Sequence, residues 1–160
     1  MTTETELIKQ MRILKVVIMR GLPGSGKTTY IKEFSNRYQV NVCSADFYHM
    51  IGGQYRFDPA KAGEAHARCL KNYLDLLASR GRIFVDNTNT MAWEIAPYYA
   101  LALAYGADVE IVRLHCSLET ACARNIHNVP VSTLVKMERG LLTECLPPHW
   151  TERIILGGCG

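Results

Sequence analysis

No apolar run in this sequence approaches the roughly 20 residues that a membrane-spanning helix requires, which excludes a helical integral membrane protein. Met1–Gln10 (MTTETELIKQ) has neither the basic start nor the apolar middle of a signal peptide, so the expected compartment is cytoplasmic, the cytosol. The cysteines Cys43, Cys69, Cys116, Cys122, Cys145 and Cys159 include no C-x-x-C pair, and no His and Cys cluster has metal-site spacing. In that compartment scattered cysteines read as buried free thiols, not as disulfides or zinc ligands. Charge of one sign is scarce too: a net charge of +3 permits a nucleic-acid partner without requiring one. Repeats and linkers are absent, which predicts a single domain over residues 1–160, with a polar lead-in at 1–11 and a flexible tail at 157–160. Its 48% hydrophobic and 21% charged residues are those of a folded globular chain, not a disordered one.

What the sequence does have is Val16–Tyr30, VVIMRGLPGSGKTTY. Within it Gly21-Leu22-Pro23-Gly24-Ser25-Gly26-Lys27-Thr28 fits G-x-x-x-x-G-K-[ST], the Walker A phosphate-binding loop of ATP- and GTP-using proteins. Its glycines let consecutive backbone N–H groups come close to a phosphate, because no Cβ intervenes. A helix starting near Lys27 turns its positive end toward the same anion. Lys27 supplies a point charge to the β- and γ-phosphates, the Thr28 hydroxyl can ligate Mg²⁺, and Thr29 completes the nucleotide-binding set. A chance glycine turn is the bland alternative. Context opposes it: the β-branched run Ile13–Met19 suits a buried strand, and Thr29–Tyr38 an amphipathic helix, so strand, loop and helix come in the required order.

Further along, Gln39–Ser44 (QVNVCS) predicts a second strand, ending at Ala45-Asp46-Phe47-Tyr48. Gly52-Gly53 and Gln54–Pro59 read as a loop, with Asp58 as N-cap of a helix over Ala60–Ser79. That helix has Leu70, Tyr73, Leu74 and Leu77 at helical period, and Arg80-Gly81 closes it. Arg82–Asp86 is a third strand, Asn87–Thr90 a polar turn and cap, and Ala92–Tyr105 a helix containing Pro97, where a kink or later start is open. Asp108–Leu114 is a fourth strand, Leu118–Arg124 a short helix, Ser132–Glu138 a helix opened by Ser132 as cap, and Arg153–Leu156 a fifth strand. Strands alternating with helices imply an α/β fold with a parallel sheet of about five strands covered on both faces. Ligands of such sheets bind at the strands' carboxyl ends, which gathers the Gly21–Thr28 loop, Asp46 and Asp86 at one edge.

Three more residues carry the candidate chemistry. Asp86 ends an apolar strand, where phosphate-loop proteins place a carboxylate near Mg²⁺; a helix cap is the alternative. Asp46 could accept the proton of a hydroxyl attacking the γ-phosphorus, or be another cap. Arg124, just before the loop RNIHNVP, could lay a guanidinium on the transferring phosphate, or be a solvated helix end. His66 reads as a packed or exposed histidine, while His49 and His127 lie in loops within reach of a ligand.

Taken together, GLPGSGKTT, CSADFY, QYRFDP, GEAHA, VDNTNT, IAPY and RNIHNVP make the chain similar, over about residues 13–150, to the kinase-like ATPases of the polynucleotide kinase group. Members include phage 5′-hydroxyl polynucleotide kinases and the P-loop domain of a NEDD4-binding protein. The resemblance implies a three-layer α/β/α P-loop NTPase fold with a small lid. It also implies ATP-dependent transfer of a γ-phosphoryl group to a hydroxyl, most often the 5′-OH of RNA or DNA. By position, Lys27 and Thr28 would hold ATP and Mg²⁺, Asp46 would be the base, and Arg124 would belong to the lid. The sequence departs from the phage enzymes in two places. ADFYH has one acid and no arginine where they carry an acidic pair and an acceptor-gripping arginine, and its lid loop is shorter. A nucleoside or other small-molecule kinase, and a nucleotide-binding module that regulates a partner, are the competing readings. For a polynucleotide acceptor the nearest cations are Arg56, Arg68 and Lys71.

Overall fold

The computed structural model describes residue 4 and residues 13–157. Apart from residue 4, the expected lead-in at 1–11 lies outside the described residues, as do Cys159 and the rest of the tail beyond residue 157. In chain order the elements are β1 (Leu14–Arg20), α1 (Lys27–Ser35), β2 (Asn41–Cys43), β3 (Met50–Ile51), β4 (Gln54–Tyr55), α2 (Ala62–Ser79) and β5 (Gly81–Val85). They continue with α3 (Ala92–Ala104), β6 (Asp108–His115), α4 (Leu118–Ala123), α5 (Val131–Thr143) and β7 (Glu152–Leu156).

Side chains along a strand alternate between its two faces, and β1 is apolar on both. Leu14, Val16 and Ile18 enter one core with Tyr73, Leu77, Ile83, Val85 and Ile95. Val17 and Met19 enter another with Ile31, Phe84, Val112 and Leu114. A strand buried on both faces belongs in the middle of a covered parallel sheet. The sheet is parallel with order β2-β5-β1-β6-β7, and Val16 pairs with Ile83 on one side and Val109 on the other. Helix α1 covers one face through Ile31, and α2 and α3 cover the other, giving the expected three-layer α/β/α fold. No helix among the described residues is long and apolar enough to cross a membrane.

Three local expectations need correction. The loop expected after Gly52-Gly53 begins inside a hairpin, in which Met50 pairs with Tyr55 and Ile51 with Gln54. Both turn glycines have positive φ (58° and 79°), the requirement of a tight two-residue hairpin turn. Ser132 is no cap: α5 starts at Val131 after Pro130, whose fixed φ is already suited to a helix start. That helix runs on to Thr143 because Leu141 is buried with Leu22 and Ala121. The buried positions of α2 are Ala65, Cys69, Tyr73 and Leu77, with Leu70 and Leu74 at the margin. Helix α3 starts at Ala92, as expected, and continues through Pro97; the carbonyl that Pro97 cannot bond belongs to Trp93, which is exposed to water.

One side chain ties the carboxyl edge together. Arg20 is 1% exposed, yet every donor group of its guanidinium has a partner. Nε donates to Asn89 O at 3.0 Å, Nη2 to Thr90 O at 2.9 Å and Nη1 to Glu152 Oε1 at 2.9 Å. It thereby joins the end of β1 to the β5–α3 turn and to β7. Removing one partner of a buried pair strands the others, at about 3–5 kcal/mol. Arg20→Met should lose stability in that range in urea denaturation. A cost below about 1 kcal/mol would mean that the two carbonyls and Glu152 re-solvate within the folded protein.

Candidate active site

Just past the ends of β1, β2 and β5 the chain presents the glycine loop, Asp46 and Asp86. The loop is fixed by close backbone approaches. A Cβ on Gly21 (φ 149°) would lie 2.6 Å from Leu114 O and 2.8 Å from Ser25 Oγ, so no larger residue fits. On Gly24 (φ 81°) it would lie 3.0 Å from Arg124 Cβ and 3.1 Å from Ala121 O. The loop therefore rests directly on the C-terminal end of α4, and Arg124, at the start of the segment expected as a lid, is part of its wall. Leu22 is buried against Ala121 and Leu141 in the same place, and Pro23 beside it is half-buried. Arg124 is packed on the loop through its Cβ, against Gly24.

Lys27 is buried and donates from Nζ to Gly21 O at 3.0 Å and Leu22 O at 2.8 Å. Burial lowers its pKa, opposed by the negative charges of Asp86 and Asp46. Thr28 and Thr29 are exposed in the first turn of α1, and Thr28 Oγ1 donates to Asp86 Oδ2 at 2.9 Å. Burial raises the Asp86 pKa; Lys27 and the Thr28 bond pull it down, and Asp46 adds to the rise. Asp86 caps no helix: α3 opens at Met91, whose N–H donates to Glu94 Oε2 at 2.8 Å.

Asp46 lies past the strand end, in the first turn of a short 3₁₀ helix, Ala45–His49. It caps nothing there; Ser44 Oγ accepts its N–H at 3.2 Å, and Asn87 Oδ1 accepts that of Ala45 at 2.9 Å. Its carboxylate is exposed and acts electrostatically on both Lys27 and Asp86. The loop, Asp46, Asp86 and Arg124 thus come together from positions far apart in the chain. The Cys116 thiol, pushed up by burial, is pulled back by both Lys27 and Arg124.

Several participants were not legible as such. Asn87, expected as a turn residue, also donates from Nδ2 to Tyr98 Oη at 3.4 Å. Asn89, at φ 47°, donates from Nδ2 to Met19 O at 2.8 Å. The available signal was polar NTNT directly after a buried strand, since buried polar groups must find partners. Tyr55 falls in a stretch that reads as loop, yet its hydroxyl donates to Asp46 Oδ1 at 3.3 Å. Of the histidines, His66 is exposed, His49 is buried near Tyr55 and Phe57, and the His127 ring centroid lies 4.0 Å from that of Tyr55. Cys43 and Cys69 are buried and free, Cys116 and Cys122 are half-buried, and Cys145 is exposed.

Beside the 3₁₀ helix, between the hairpin and the start of α2, lies a groove of about 280 Å³ lined by Tyr48, Ile51, Arg56, Phe57, Lys61 and Arg68, among others. Its two carboxylates are engaged, Glu64 with Arg68 at 3.9 Å and Asp58 with the Ala60 N–H at 2.9 Å. Lys61, not the expected Lys71, joins Arg56 and Arg68, because positions 61, 64, 65 and 68 share one helical face.

A family model described as AAA domain matches residues 16–129. Human NEDD4-binding protein 2 is 40% identical over 91 residues, which are 56% of this chain and 5% of that protein. Mouse 2′,3′-cyclic-nucleotide 3′-phosphodiesterase is 28% identical over 140 residues, 83% of this chain and 32% of that one. The chain thus spans a third or less of these curated relatives. Among solved structures, a chain of the Pnkp1/Rnl/Hen1 RNA repair complex superposes with a TM-score of 0.68 at 20% identity, covering 81% of this chain and 44% of its own. The APS kinase of Mycobacterium tuberculosis, in complex with AMPPNP and APS, superposes at 0.57 and 19% identity, covering 92% and 91%. These likenesses give the fold of P-loop kinases.

The raised pKa of Asp86 makes its contribution to stability depend on pH. A carboxyl that holds its proton more tightly when folded contributes stability below its ordinary value of 3.8, and loses it as pH rises through the folded pKa. Asp86→Asn removes that loss and keeps an acceptor for Thr28. Urea denaturation across pH should show the variant gaining on the wild type as pH rises above about 4. A parallel pair of stability curves would mean that Lys27 fully offsets the burial of the carboxylate.

Proposed function

This chain belongs to the AAA domain family, and on that premise we propose that it transfers the γ-phosphoryl group of Mg-ATP to a hydroxyl acceptor, the 5′-OH of RNA or DNA. The observation that carries the reading is the convergence on one edge of a buried lysine, a threonine hydroxyl bonded to a carboxylate, and a second, exposed carboxylate. Gly21, Leu22, Pro23, Gly24, Ser25, Gly26 and Lys27 would cradle the phosphates, with Thr28 and Thr29 at the helix start. A Cβ on Gly26 would meet nothing within 4 Å, so the space over the amino end of α1 is open, and the Ser25 Oγ, buried without a hydrogen-bond partner among the described residues, lies in the same loop.

Thr28 Oγ1 and Asp86 Oδ2 are hard oxygen donors 2.9 Å apart, a set that fits Mg²⁺, which takes one or two protein oxygens and completes its shell with phosphate and water. When bound there, the ion would neutralise phosphate charge. Asp46 would take the proton of the acceptor hydroxyl as its oxygen bonds to the γ-phosphorus and the bond to the bridging oxygen breaks, releasing ADP. Arg124, carried on the lid root against Gly24, would lay its charge on the transferring group.

The groove supports a polynucleotide over a small acceptor. Arg56, Lys61 and Arg68 suit phosphates, and Phe57, 55% exposed, offers a face on which a base can stack. Likeness to a chain of an RNA repair complex agrees with that acceptor. The small-molecule alternative draws on the APS kinase likeness, and the regulatory module on the absence of the arginine that follows the acidic pair in the phage enzymes.

Asp46→Asn keeps the side-chain shape but cannot take a proton at neutral pH. It should lose roughly 10²- to 10⁴-fold in turnover with ATP affinity near wild type. Normal transfer by that variant would assign the proton to another group. Lys27→Ala should abolish most of the rise in melting temperature that Mg-ATP gives the wild type. An unchanged shift would sink the phosphate-binding assignment.

A further inference from the structure

The proposed base and the loop after α4 meet at one side chain, Tyr55. Tyr55 sits on β4, where its pairing with Met50 fixes which way its ring points. Its hydroxyl donates to Asp46 Oδ1 at 3.3 Å, a long bond of the kind that tightens when substrates fill a catalytic site. Its ring packs at 4.0 Å, tilted by 46°, on His127 of the lid loop. Among the described residues the His127 Nδ1 is buried without a hydrogen-bond partner, and the ring contact with Tyr55 holds the imidazole from one side. The loop itself is braced, with Asn125 exchanging two hydrogen bonds with Val129, and its root at Arg124 lies on Gly24 of the phosphate loop. The loop thus touches the phosphate loop at one end and Tyr55 at the other.

We propose that Tyr55 is a positioning residue: its hydroxyl aims the Asp46 carboxylate at the acceptor, and its ring, through His127, links that aim to the seating of the lid over the nucleotide. The inference rests on the reading of Asp46 as acceptor base. Burial and the neighbouring carboxylate push the phenol up to about 12, so it stays a donor across the neutral range. The two functions reside in different atoms of one residue, and can be separated.

Tyr55→Phe removes the hydroxyl and keeps the ring; Tyr55→Leu removes both. The inference expects Tyr55→Phe to lower kcat for transfer about 10- to 100-fold, as a misaimed catalytic group does, with the KM for ATP unchanged. Tyr55→Leu should show the same fall in kcat and, in addition, a severalfold rise in the KM for ATP. His127→Ala, with the hydroxyl intact, should reproduce the rise in KM without the full loss of kcat. Apo melting temperatures of all three control for folding; where Tyr55→Leu does not fold, His127→Ala decides the lid arm. A Tyr55→Phe variant that transfers at the wild-type rate, while Asp46→Asn is inactive, overturns the aiming role and leaves the base in place. An active Asp46→Asn overturns the underlying reading instead. Equal KM for ATP in the wild type and His127→Ala, measured by hydrolysis if no acceptor is phosphorylated, overturns the link to the lid.

Discussion

A polar edge shut away from water has to satisfy its own hydrogen bonds, and this sheet does so with Arg20, Asn87 and Asn89. Arg20 closes three acceptors, Asn89 reaches the carbonyl of Met19, and Asn87 holds the amide of Ala45. Each bond joins segments that are distant in sequence, and a buried group left without its partner costs about 1–3 kcal/mol. The same bonds therefore set the relative positions of the glycine loop, the Asp46 turn and the Asp86 strand end. Stability and the geometry of the candidate site share one set of contacts here.

Within that frame the two central charges are both uncomfortable. Burial disfavours the ammonium of Lys27 and the carboxylate of Asp86, and each partly rescues the other. An anionic ligand over Lys27, accompanied by a cation at Thr28 and Asp86, would relieve both costs at once. In the proposed function this would favour nucleotide and metal binding together, and binding would raise stability by mass action.

The fold was largely legible because its signals are local. Ile13–Met19 reads as a buried strand from its own side chains, the loop from glycines at fixed spacing, and Asp86 from the apolar residues before it. Gathering Lys27, Asp46 and Asp86 on one edge needed only the rule that ligands bind at the carboxyl ends of parallel strands. What escaped depends on partners far away in sequence. Tyr55 and its two-residue strand are too short to show a period, and nothing local says that its hydroxyl meets Asp46. Asn87 and Asn89 look like ordinary turn residues until the carbonyls and amides around them are counted. Ser132 failed as a cap because Pro130 already supplies the helical φ and the next turns are held by Leu141, a tertiary contact. Lys71 was displaced by Lys61 because the start of α2, not its middle, faces the groove.

The central claim is that this edge moves a phosphoryl group from nucleotide to hydroxyl. Incubation with ATP labelled in the γ-phosphate, Mg²⁺ and a panel of 5′-OH DNA, 5′-OH RNA and free nucleosides tests it directly. The proposed chemistry predicts label at the 5′ end of an oligonucleotide, little in nucleosides, and none when Lys27 is replaced by alanine. Label released only as free phosphate, whatever acceptor is offered, would contradict it and leave a nucleotide-binding module in its place.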